Sequence, residues 1–537
     1  MSLLEITDLS MSICGLEILK RVSLHVGPGE IVAVTGESGS GKSMTALAVM
    51  QLLPDLARCC GAVRLDGTDL LAATEPELCA IRGRSVGMVF QEPTTALNPV
   101  RTIGDQVAET VLVHGAMRPE QARERARDVL DRVGLPADRF AMSRYPHELS
   151  GGQRQRVVIA MAIALQPKML IADEPTTALD VTTQAQILDL LKGLVADYGM
   201  GLLMITHDLA VVADMADRIV VMRNGEVVES GATRDLLAGM RHPYTRMLFE
   251  ASDHQVALPE PPAPQPLLQV RGAVRDYRLP RTKLFADPGH FRAVDDVSFA
   301  LNRGERLGLV GESGCGKSTL TRAILGLEPV QSGQILLDGE PVFSGRRPNL
   351  SVRRKMQVVF QDPFGSFNPR HRVDRLITEP FHLLDTPPKG AARRDAIAAA
   401  LSAVGLKPGD ATRYIHEFSG GQRQRIAIAR ALIVRPELIL FDEAVSALDV
   451  SVRARILDLL AELCRTYDLT YLFISHDLSV VRSVTDRVLV MQAGRIVEQG
   501  ETRAVFDAPK HPYTRSLIAA APRLPDLASL RRTPDHV

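Results

Sequence analysis

Short apolar runs that lead into glycine-rich segments occur in both halves of the chain. The run from Glu30 to Thr35 reads EIVAVT and leads directly into GESGSGKS, after which an alanine- and leucine-rich stretch begins at Ser43. The residues Gly308 to Val310 lead in the same way into GESGCGKS. A short β-branched apolar run is typical of a buried strand, and the stretch after the glycines has helical character. Each copy therefore predicts a strand, a loop and a helix in succession.

Two further apolar runs end in paired carboxylates. Met169 to Glu174 reads MLIADE, and Leu438 to Glu443 reads LILFDE. Both runs are predicted to be buried strands, because they are continuous and apolar up to the first acid. A strand of this kind delivers its carboxylates to the carboxyl edge of a sheet, which suits a Mg²⁺ site beside a phosphate loop.

The chain repeats itself over a domain-sized interval. SGGQRQR begins at Ser150 and again at Ser419, and HPYTR begins at His242 and again at His511. Both pairs are separated by 269 residues (419 − 150 and 511 − 242). The same motifs recur in the same order, which predicts two related domains in tandem.

A proline-rich segment lies between the two copies. Leu258 to Pro266 reads LPEPPAPQP, and its five prolines disfavour a helix and favour an extended, semi-rigid spacer. We therefore predict a first domain at residues 1–251, a linker at 252–267 and a second domain at 268–537.

Composition narrows the class of protein. Apolar residues make up 45% and charged residues 23% of the chain, as in ordinary globular domains. Lys plus Arg equals Asp plus Glu at 63 each, so no basic excess favours nucleic acid as a partner. The longest apolar run, Val157 to Leu165, is far shorter than the roughly 20 residues of a membrane span. The first residues lack the pattern of a secretory signal, and we expect a chain that stays in the cytoplasm.

The glycine-rich segments have the spacing of a phosphate-binding loop. Between a strand and a helix, such a loop turns backbone N–H groups toward a phosphate chain at the helix N-terminus. The lysine reaches the β- and γ-phosphates of a nucleotide, and the serine after it binds Mg²⁺. The predicted nucleotide-binding residues are Gly36, Glu37, Ser38, Gly39, Ser40, Gly41, Lys42 and Ser43 in the first copy, and Gly311, Glu312, Ser313, Gly314, Cys315, Gly316, Lys317 and Ser318 in the second.

With these motifs in place, the chain resembles the ATP-binding-cassette (ABC) ATPase family over nearly its whole length. The diagnostic segments are LSGGQ, which starts at Leu149, and FSGGQ, which starts at Phe418. The resemblance implies an α/β fold of two tandem P-loop ABC-type nucleotide-binding domains, each with a RecA-like core, an antiparallel β subdomain and a helical subdomain. In the family this segment clasps the partner domain's nucleotide, so each site is shared. The implied residues are Ser150, Gly151, Gly152, Gln153, Ser419, Gly420, Gly421 and Gln422.

The resemblance also assigns roles in hydrolysis, with ATP as the nucleotide. Glu174 and Glu443 are expected to polarise the attacking water. The loop glutamines that sense Mg²⁺ and water correspond to Gln91 and Gln361, the γ-phosphate switch histidines to His207 and His476, and the loop that crosses between domains to Asp180 and Asp449. The expected Mg²⁺ ligands are Ser43, Gln91, Asp173, Ser318, Gln361 and Asp442. Both halves retain every element, so we predict two competent sites.

Adenine contact distinguishes the two halves. The family usually places an aromatic residue upstream of the phosphate loop, where it stacks on the base. Tyr277 fits this role in the second half, whereas Ile13 takes the comparable place in the first half and offers no π face.

The HPYTR segments resemble the tails of ATPases from oligopeptide, dipeptide and nickel import systems. The simpler interpretation, a proline-fixed turn before a closing helix, stays open. Some members of that branch carry a cysteine cluster for an iron–sulfur centre in the C-terminal extension. This chain has six cysteines without C-x-x-C spacing and none after Cys464, so no iron–sulfur cluster is expected.

Membership of that branch would imply the rest of a transport machine. We expect two integral membrane permease subunits as partners, an extracytoplasmic solute-binding protein that acts through them, no nucleic acid, and a peripheral location on the cytoplasmic face of a bacterial inner membrane. Import of dipeptides or oligopeptides is favoured, and glutathione or nickel is the alternative cargo. A soluble twin-cassette ABC translation factor is the alternative of another class, although such proteins usually join their halves by a long charged helix.

Overall fold

The computed structural model describes residues 2–115, 117–177, 179–279, 289–345, 347–362, 365–446 and 448–525. The strands of the first half are β1 (Leu4–Ile13), β2 (Leu16–Val26), β3 (Ile31–Thr35), β4 (Ala57–Leu65), β5 (Thr68–Asp69), β6 (Val86–Val89), β7 (Met169–Asp173), β8 (Gly201–Ile205), β9 (Arg218–Arg223) and β10 (Glu226–Ala232). Its helices are α1 (Lys42–Met50), α2 (Glu75–Ile81), α3 (Pro93–Ala96), α4 (Ile103–Val113), α5 (Pro119–Arg132), α6 (Gly151–Ile163), α7 (Val181–Tyr198), α8 (Leu209–Met215), α9 (Thr233–Gly239) and α10 (Pro243–Ser252), with a 3₁₀ turn at Pro146–Glu148.

The second half repeats this order. Its strands are β11 (Pro266–Arg278), β12 (His290–Asn302), β13 (Arg306–Val310), β14 (Ser332–Leu337), β15 (Glu340–Pro341), β16 (Phe343–Ser344), β17 (Arg347–Pro348), β18 (Met356–Val359), β19 (Leu438–Asp442), β20 (Tyr471–Ile474), β21 (Arg487–Gln492) and β22 (Arg495–Glu501). Its helices are α11 (Lys317–Ile324), α12 (Leu350–Arg353), α13 (Val373–Ile377), α14 (Gly390–Ala403), α15 (Gly420–Leu432), α16 (Val450–Tyr467), α17 (Leu478–Val484), α18 (Thr502–Asp507) and α19 (Pro512–Ala520), with 3₁₀ turns at Glu379–Leu383, Pro408–Thr412 and Ile415–Glu417.

Each half contains one six-stranded sheet and one four-stranded antiparallel sheet, and the second half adds the two-stranded antiparallel pair β16–β17. The large sheets have the orders β10-β9-β3-β8-β7-β6 and β22-β21-β13-β20-β19-β18, and in both only the first strand of that order is antiparallel to its neighbour. The antiparallel sheets have the orders β2-β1-β4-β5 and β12-β11-β14-β15. The predicted α/β fold with two tandem domains is confirmed.

The central strands are buried along their whole length, which explains their continuous apolar sequences. Every residue of β3, β7 and β8 is buried, because helices cover both faces of a parallel sheet. These three strands are neighbours in the sheet and run in the same direction. Their carboxyl ends therefore meet at one edge, where the phosphate loop, the acid pair and the segment after β8 come together.

The linker lies against the second half. The predicted linker at 252–267 overlaps its neighbours, because α10 ends at Ser252 and β11 begins at Pro266. His254 Nε2 is 2.8 Å from the Asp458 carboxylate. Arginines of the second half donate to two linker carbonyls, Arg465 to Ala257 at 3.0 Å and Arg306 to Pro259 at 2.5 Å. The first part of the linker, up to Pro259, is thus held by side chains of the domain that follows it.

The two halves contact each other through two pairs of helices. Helix α10 of the first half packs against α16 of the second, and α19 of the second packs against α7 of the first. Val181, at the start of α7, belongs to the buried apolar cluster of the second half. Within the described ranges, none of the helices has the length and apolar character needed to cross a bilayer.

Candidate functional site

Each phosphate loop is pressed against the end of a neighbouring strand. Gly36 has a φ of 146°, and a Cβ there would lie 2.1 Å from the carbonyl oxygen of Met222. Gly311 has a φ of 155°, and its Cβ would lie 2.2 Å from the carbonyl oxygen of Met491. Only glycine fits such a close approach of two backbones. The remaining predicted loop residues follow after β3 and β13, and the lysine and serine that end each motif are the first two residues of α1 and α11.

The loop lysines fold back over their own loops. Lys42 Nζ donates to the carbonyl oxygens of Gly36 at 2.8 Å and Glu37 at 2.9 Å, and Lys317 Nζ donates to those of Gly311 at 2.7 Å and Glu312 at 2.8 Å. Burial lowers the pKa of Lys42, against the opposing influence of Glu174 and other acids nearby. Both ammonium groups therefore sit within the loop, where a phosphate chain would compete for their protons.

Oxygen donors meet at the end of β7. The Ser43 hydroxyl donates to Asp173 Oδ1 at 3.0 Å. Burial raises the pKa of Asp173, although the Ser43 hydrogen bond opposes this. In the second half Ser318 lies in the first turn of α11 and Asp442 ends β19, and burial again raises the pKa of the aspartate. A hard cation bound here would stabilise the ionised form of these buried carboxylates.

Three side chains hold the Glu174 carboxylate. Gln91 Nε2 donates to Oε2 at 2.8 Å, the Thr177 hydroxyl donates to Oε2 at 2.9 Å, and His207 Nδ1 lies 3.2 Å from Oε1. Burial alone would raise the pKa of Glu174, but the hydrogen bond and charge of His207, together with Thr177 and Lys42, lower it to about 2. The carboxylate is therefore ionised at neutral pH and fixed in orientation by contacts on both oxygens.

The second copy of this arrangement is looser. His476 Nδ1 lies 3.4 Å from Glu443 Oε1, and this pairing lowers the pKa of Glu443 against the effect of burial. Gln361 Nε2 donates to the Ser446 hydroxyl at 3.5 Å, and that hydroxyl donates to the backbone carbonyl of Glu443 at 2.9 Å. The glutamine thus reaches the glutamate carboxylate directly in the first half and a neighbouring serine in the second.

The SGGQ segments begin helices α6 and α15. The Ser150 hydroxyl accepts from the N–H of Gln153 at 3.3 Å, while Gln153 Oε1 accepts from the N–H of Ser150 at 3.0 Å. Ser419 and Gln422 make the same reciprocal cap, in which each side chain satisfies an N–H of the other residue. Gly151 and Gly420 are the first residues of these helices, and both are exposed to solvent.

Each SGGQ helix packs closely on the helix that follows the acid pair. A Cβ on Gly152 would lie 2.2 Å from the Thr183 side chain of α7, and a Cβ on Gly421 would lie 2.3 Å from the Val452 side chain of α16. Glycine is required at both positions because the helices approach here without space for a side chain. The second half's SGGQ helix is consequently tied to the helix that begins just after Asp449.

The second half reaches across to the first phosphate loop. Asp449 Oδ1 accepts from the N–H of Ser38 at 2.7 Å and from its hydroxyl at 2.8 Å. The Ser451 hydroxyl donates to the Glu37 carboxylate. At the other interface Asp180 accepts from the N–H and the hydroxyl of Thr183, at 3.0 and 3.1 Å, within its own helix. The first site is therefore completed by hydrogen bonds from the opposite half.

Strand register places Ile13 and Tyr277 at equivalent positions. Leu4 pairs with Leu65 and Leu268 with Leu337, and the two residues come nine positions further along β1 and β11 (4 to 13 and 268 to 277). The Tyr277 hydroxyl donates to the Glu328 carboxylate at 2.7 Å and lies 3.4 Å from the Thr319 hydroxyl on α11. The tyrosine thus stands beside the helix that begins at the second phosphate loop.

Sequence reasoning missed three contacts at these sites. It assigned no role to Thr177, whose hydroxyl holds Glu174. It also treated the tyrosines of the HPYTR segments as part of a turn, whereas Tyr244 and Tyr513 contact the phosphate loops through their hydroxyls. The recurrence of HPYTR in both halves was the available signal, because a buried tyrosine needs a hydrogen-bond partner for its hydroxyl.

Comparison with known proteins agrees with this geometry. The family model described as ABC transporter matches residues 19–177 and 294–446. The model described as oligopeptide/dipeptide transporter, C-terminal region, matches residues 228–275 and 497–537.

Several proteins are similar to this chain over most of its length. A glutathione import ATP-binding protein, GsiA, of Salmonella paratyphi A is 46% identical over 94% of this chain and 87% of its own length. The protein of the same name from Escherichia coli K12 is 45% identical over 94% of this chain and 86% of its own. A solved dimeric ATP-binding cassette in a post-hydrolysis state with ADP and Pi is 34% identical over 43% of this chain and 98% of that chain, with a TM-score of 0.39.

Proposed function

The chain belongs to the ABC transporter family as an ATP-binding protein with two cassettes in one polypeptide, and from this premise we propose that it hydrolyses ATP at two sites to drive import of a short peptide. One observation carries the proposal. Each half has a lysine, an acid pair and a histidine at one sheet edge, and Asp449 of the second half hydrogen-bonds to the first half's phosphate loop.

In this proposal the glutamates orient and polarise the attacking water. Glu174 suits that role, because its carboxylate is ionised and is held on Oε2 by Gln91 and Thr177 and on Oε1 by His207. A fixed carboxylate accepts a proton from water with little reorganisation. Glu443, paired with His476, performs the same step at the second site. The SGGQ segments contribute N–H donors at the starts of α6 and α15 to the nucleotide held by the opposite half.

The residues present fit a Mg²⁺ ion bound with ATP. Mg²⁺ prefers oxygen donors, and the Ser43 hydroxyl and Asp173 carboxylate lie 3.0 Å apart at the sheet edge. Ser43, Gln91 and Asp173 would hold the ion in the first site, and Ser318, Gln361 and Asp442 in the second. When bound, Mg²⁺ neutralises charge that develops on the phosphates.

The partners follow from the family. Relatives of this chain are named import ATP-binding proteins, which implies membrane partners. We propose two permease subunits that receive the closing motion of the cassettes as a rigid-body movement. We further propose a solute-binding protein on the far side of the permeases. The chain would then sit peripherally on the cytoplasmic face of a bacterial inner membrane.

The cargo class rests on the C-terminal segments and on the relatives. The segment at 228–275 and its repeat at 497–537 match the oligopeptide/dipeptide transporter model, and relatives at 45–46% identity are named for glutathione import. Glutathione is itself a tripeptide, so both observations favour a small peptide over nickel. The test is uptake of labelled glutathione, a labelled dipeptide and nickel by cells with and without the gene. Loss of nickel uptake alone would overturn the peptide proposal.

Recovery of the intact complex tests the transporter role. The tagged chain is purified from its native membranes in mild detergent, and bound proteins are identified by mass spectrometry. We expect two multi-spanning permeases, and ATP hydrolysis that disappears in the Glu174→Gln/Glu443→Gln double variant. Ribosomes without permeases would instead favour a soluble translation factor.

A further inference from the structure

The tyrosine of each HPYTR segment touches the phosphate loop of its own half. The N–H of Glu37 donates to the Tyr244 hydroxyl at 3.1 Å, and the N–H of Glu312 donates to the Tyr513 hydroxyl at 3.0 Å. Glu37 and Glu312 are the second residues of the two loops. The same contact thus forms twice, between elements more than 200 residues apart in sequence.

The other residues of the motif hold the tyrosine in place. His242 caps α10 by accepting from the N–H of Tyr244 at 3.1 Å, and Pro243 takes the first helical position. The carboxylate of Glu229, on β10, accepts from the N–H groups of Arg241 at 2.7 Å and His242 at 3.1 Å.

The second half repeats these contacts. The N–H of Tyr513 donates to His511 Nδ1 at 3.2 Å, and Glu498 on β22 accepts from the N–H groups of Lys510 at 2.8 Å and His511 at 3.0 Å. The turn is therefore bound to the sheet in both halves, and each tyrosine extends from a fixed base.

The tyrosine hydroxyls lie in the interior. Tyr244 is 3% exposed and Tyr513 is 8% exposed. Burial raises the pKa of both phenols, so both hydroxyls stay protonated at neutral pH. Because the hydroxyl of Tyr244 is the acceptor for the Glu37 N–H, its removal would leave a backbone donor of the loop without that partner.

The contact adjoins the junction between halves. In the first loop the N–H of Glu37 is bound by Tyr244 of the same half, and the N–H of the next residue, Ser38, is bound by Asp449 of the opposite half. Two consecutive N–H groups of the loop are thus held by hydrogen bonds, one from each half of the chain.

We propose that Tyr244 and Tyr513 are positioning residues that hold the start of each phosphate loop in its nucleotide-binding shape. The inference rests on the proposed ATP-binding function and assigns the tail motif a part in it. A loop held in shape before the nucleotide arrives pays less ordering cost on binding, so the tyrosines increase affinity for ATP without touching it. The motif is then more than a turn that starts the last helix.

The test removes each hydroxyl and keeps each ring. Tyr244→Phe, Tyr513→Phe and their double variant are made in the Glu174→Gln/Glu443→Gln chain, and ATP binding to the full chain is measured by equilibrium titration. We expect one of the two dissociation constants to rise roughly 2- to 10-fold in each single variant and both to rise in the double, the range for one lost hydrogen bond. In the hydrolysing background we expect the KM for ATP to rise by the same factor while kcat changes less than 2-fold.

Tyr198→Phe and Tyr467→Phe are the matched controls. These tyrosines end α7 and α16, are 37% and 49% exposed, and also occupy equivalent positions in the two halves. The controls should leave both dissociation constants and the melting temperature unchanged. Unchanged dissociation constants in the Tyr244 and Tyr513 variants, or a lower melting temperature without weaker binding, would overturn the proposal. A parent chain that fails to bind ATP at all would instead overturn the proposed function.

Discussion

Asp449 of the second half accepts two hydrogen bonds from Ser38 of the first half, one from the N–H at 2.7 Å and one from the hydroxyl at 2.8 Å. Asp449 stands at the N-cap position of α16, where an aspartate side chain usually accepts from a helix N–H. Its side chain makes no such capping hydrogen bond. Its counterpart Asp180 does cap its own helix, through Thr183. The two interfaces therefore differ in where the same aspartate is bound.

The difference between the two interfaces coincides with differences at two neighbouring sequence positions. Thr183 donates its hydroxyl to Asp180 at 3.1 Å, whereas Val452 holds the equivalent position in the second half and has no hydroxyl. The adjacent residues differ as well: the Ser451 hydroxyl reaches Glu37, while the buried Thr182 hydroxyl finds no hydrogen-bond partner among the described residues. Asp180, which does not reach the opposite half, is thus the aspartate whose carboxylate is bound by a hydroxyl of its own helix.

Substitutions that exchange Thr183 and Val452 should change the rates of ATP hydrolysis at the two sites in opposite directions. In the Glu443→Gln chain, where only the first site turns over, Val452→Thr should lower ATP hydrolysis roughly 2- to 10-fold, because the new hydroxyl competes with Ser38 for Asp449. In the Glu174→Gln chain, Thr183→Val should raise hydrolysis at the second site. Steady-state phosphate release measures both. Equal rates in the exchanged and parental chains would show that the aspartate contact does not limit turnover.

Substitution of either glutamate that we propose to be catalytic should strongly slow hydrolysis at its own site. Glu174→Gln and Glu443→Gln should each lower turnover at the affected site by about 10²- to 10⁴-fold, the usual effect of lost general-base assistance. Each single variant then retains the other site's activity, and the double variant loses nearly all of it. Glu250→Gln, an exposed change on α10, is the control. If one single substitution leaves total hydrolysis unchanged, only one site is active.

The stability of the ATP-free protein should depend on pH through His207. Burial alone lowers the pKa of His207, but the hydrogen bond and charge of Glu174 outweigh it and raise the pKa above its ordinary 6.5. A raised folded pKa means that the stabilisation is complete below about pH 6.5 and is lost as the pH rises through the folded value.

His207→Gln should therefore lower the melting temperature most at acid pH. We expect a loss of roughly 1–3 kcal/mol near pH 6, or about 2–4 °C per kcal/mol, and a smaller loss near pH 9. Thermal unfolding of both chains across this range measures it. His290→Gln, on the exposed start of β12, should show no such dependence. A difference that is constant with pH would exclude a charged His207–Glu174 pair.

The affinity of each site for ATP should depend on whether an aromatic residue is present to stack on the adenine. Tyr277→Ile should weaken ATP binding at the second site by about 5-fold or more, since stacking of a base on an aromatic ring contributes about 1–3 kcal/mol. Ile13→Tyr should strengthen the first site. Tyr277→Phe keeps the ring and loses only the hydroxyl's contacts with Glu328 and Thr319, so it is the matched control. Equilibrium titration measures the affinity of each variant for ATP. An equal loss of affinity in the Tyr277→Phe and Tyr277→Ile variants would show that the hydroxyl, and not the ring, is responsible.

The sequence by itself determined the local features of this protein. The apolar runs before Gly36 and through Asp173 form buried strands, and SGGQ begins a capped helix in each half, because such patterns depend on residues that are neighbours along the chain. The repeat of these motifs was enough to predict two tandem cassettes, and the family resemblance was enough to predict an importer ATPase.

Only the tertiary structure decided which residues meet across the molecule. Ser38 and Asp449 are 411 positions apart, and Tyr244 is 207 positions from Glu37. No periodicity encodes such pairs, since they depend on how the two halves pack and where the last helix of each half returns. The same reason applies to Thr183 and Val452. The sequence shows that these two residues differ. Only the structure shows that Asp449 binds a partner in the other half, Ser38.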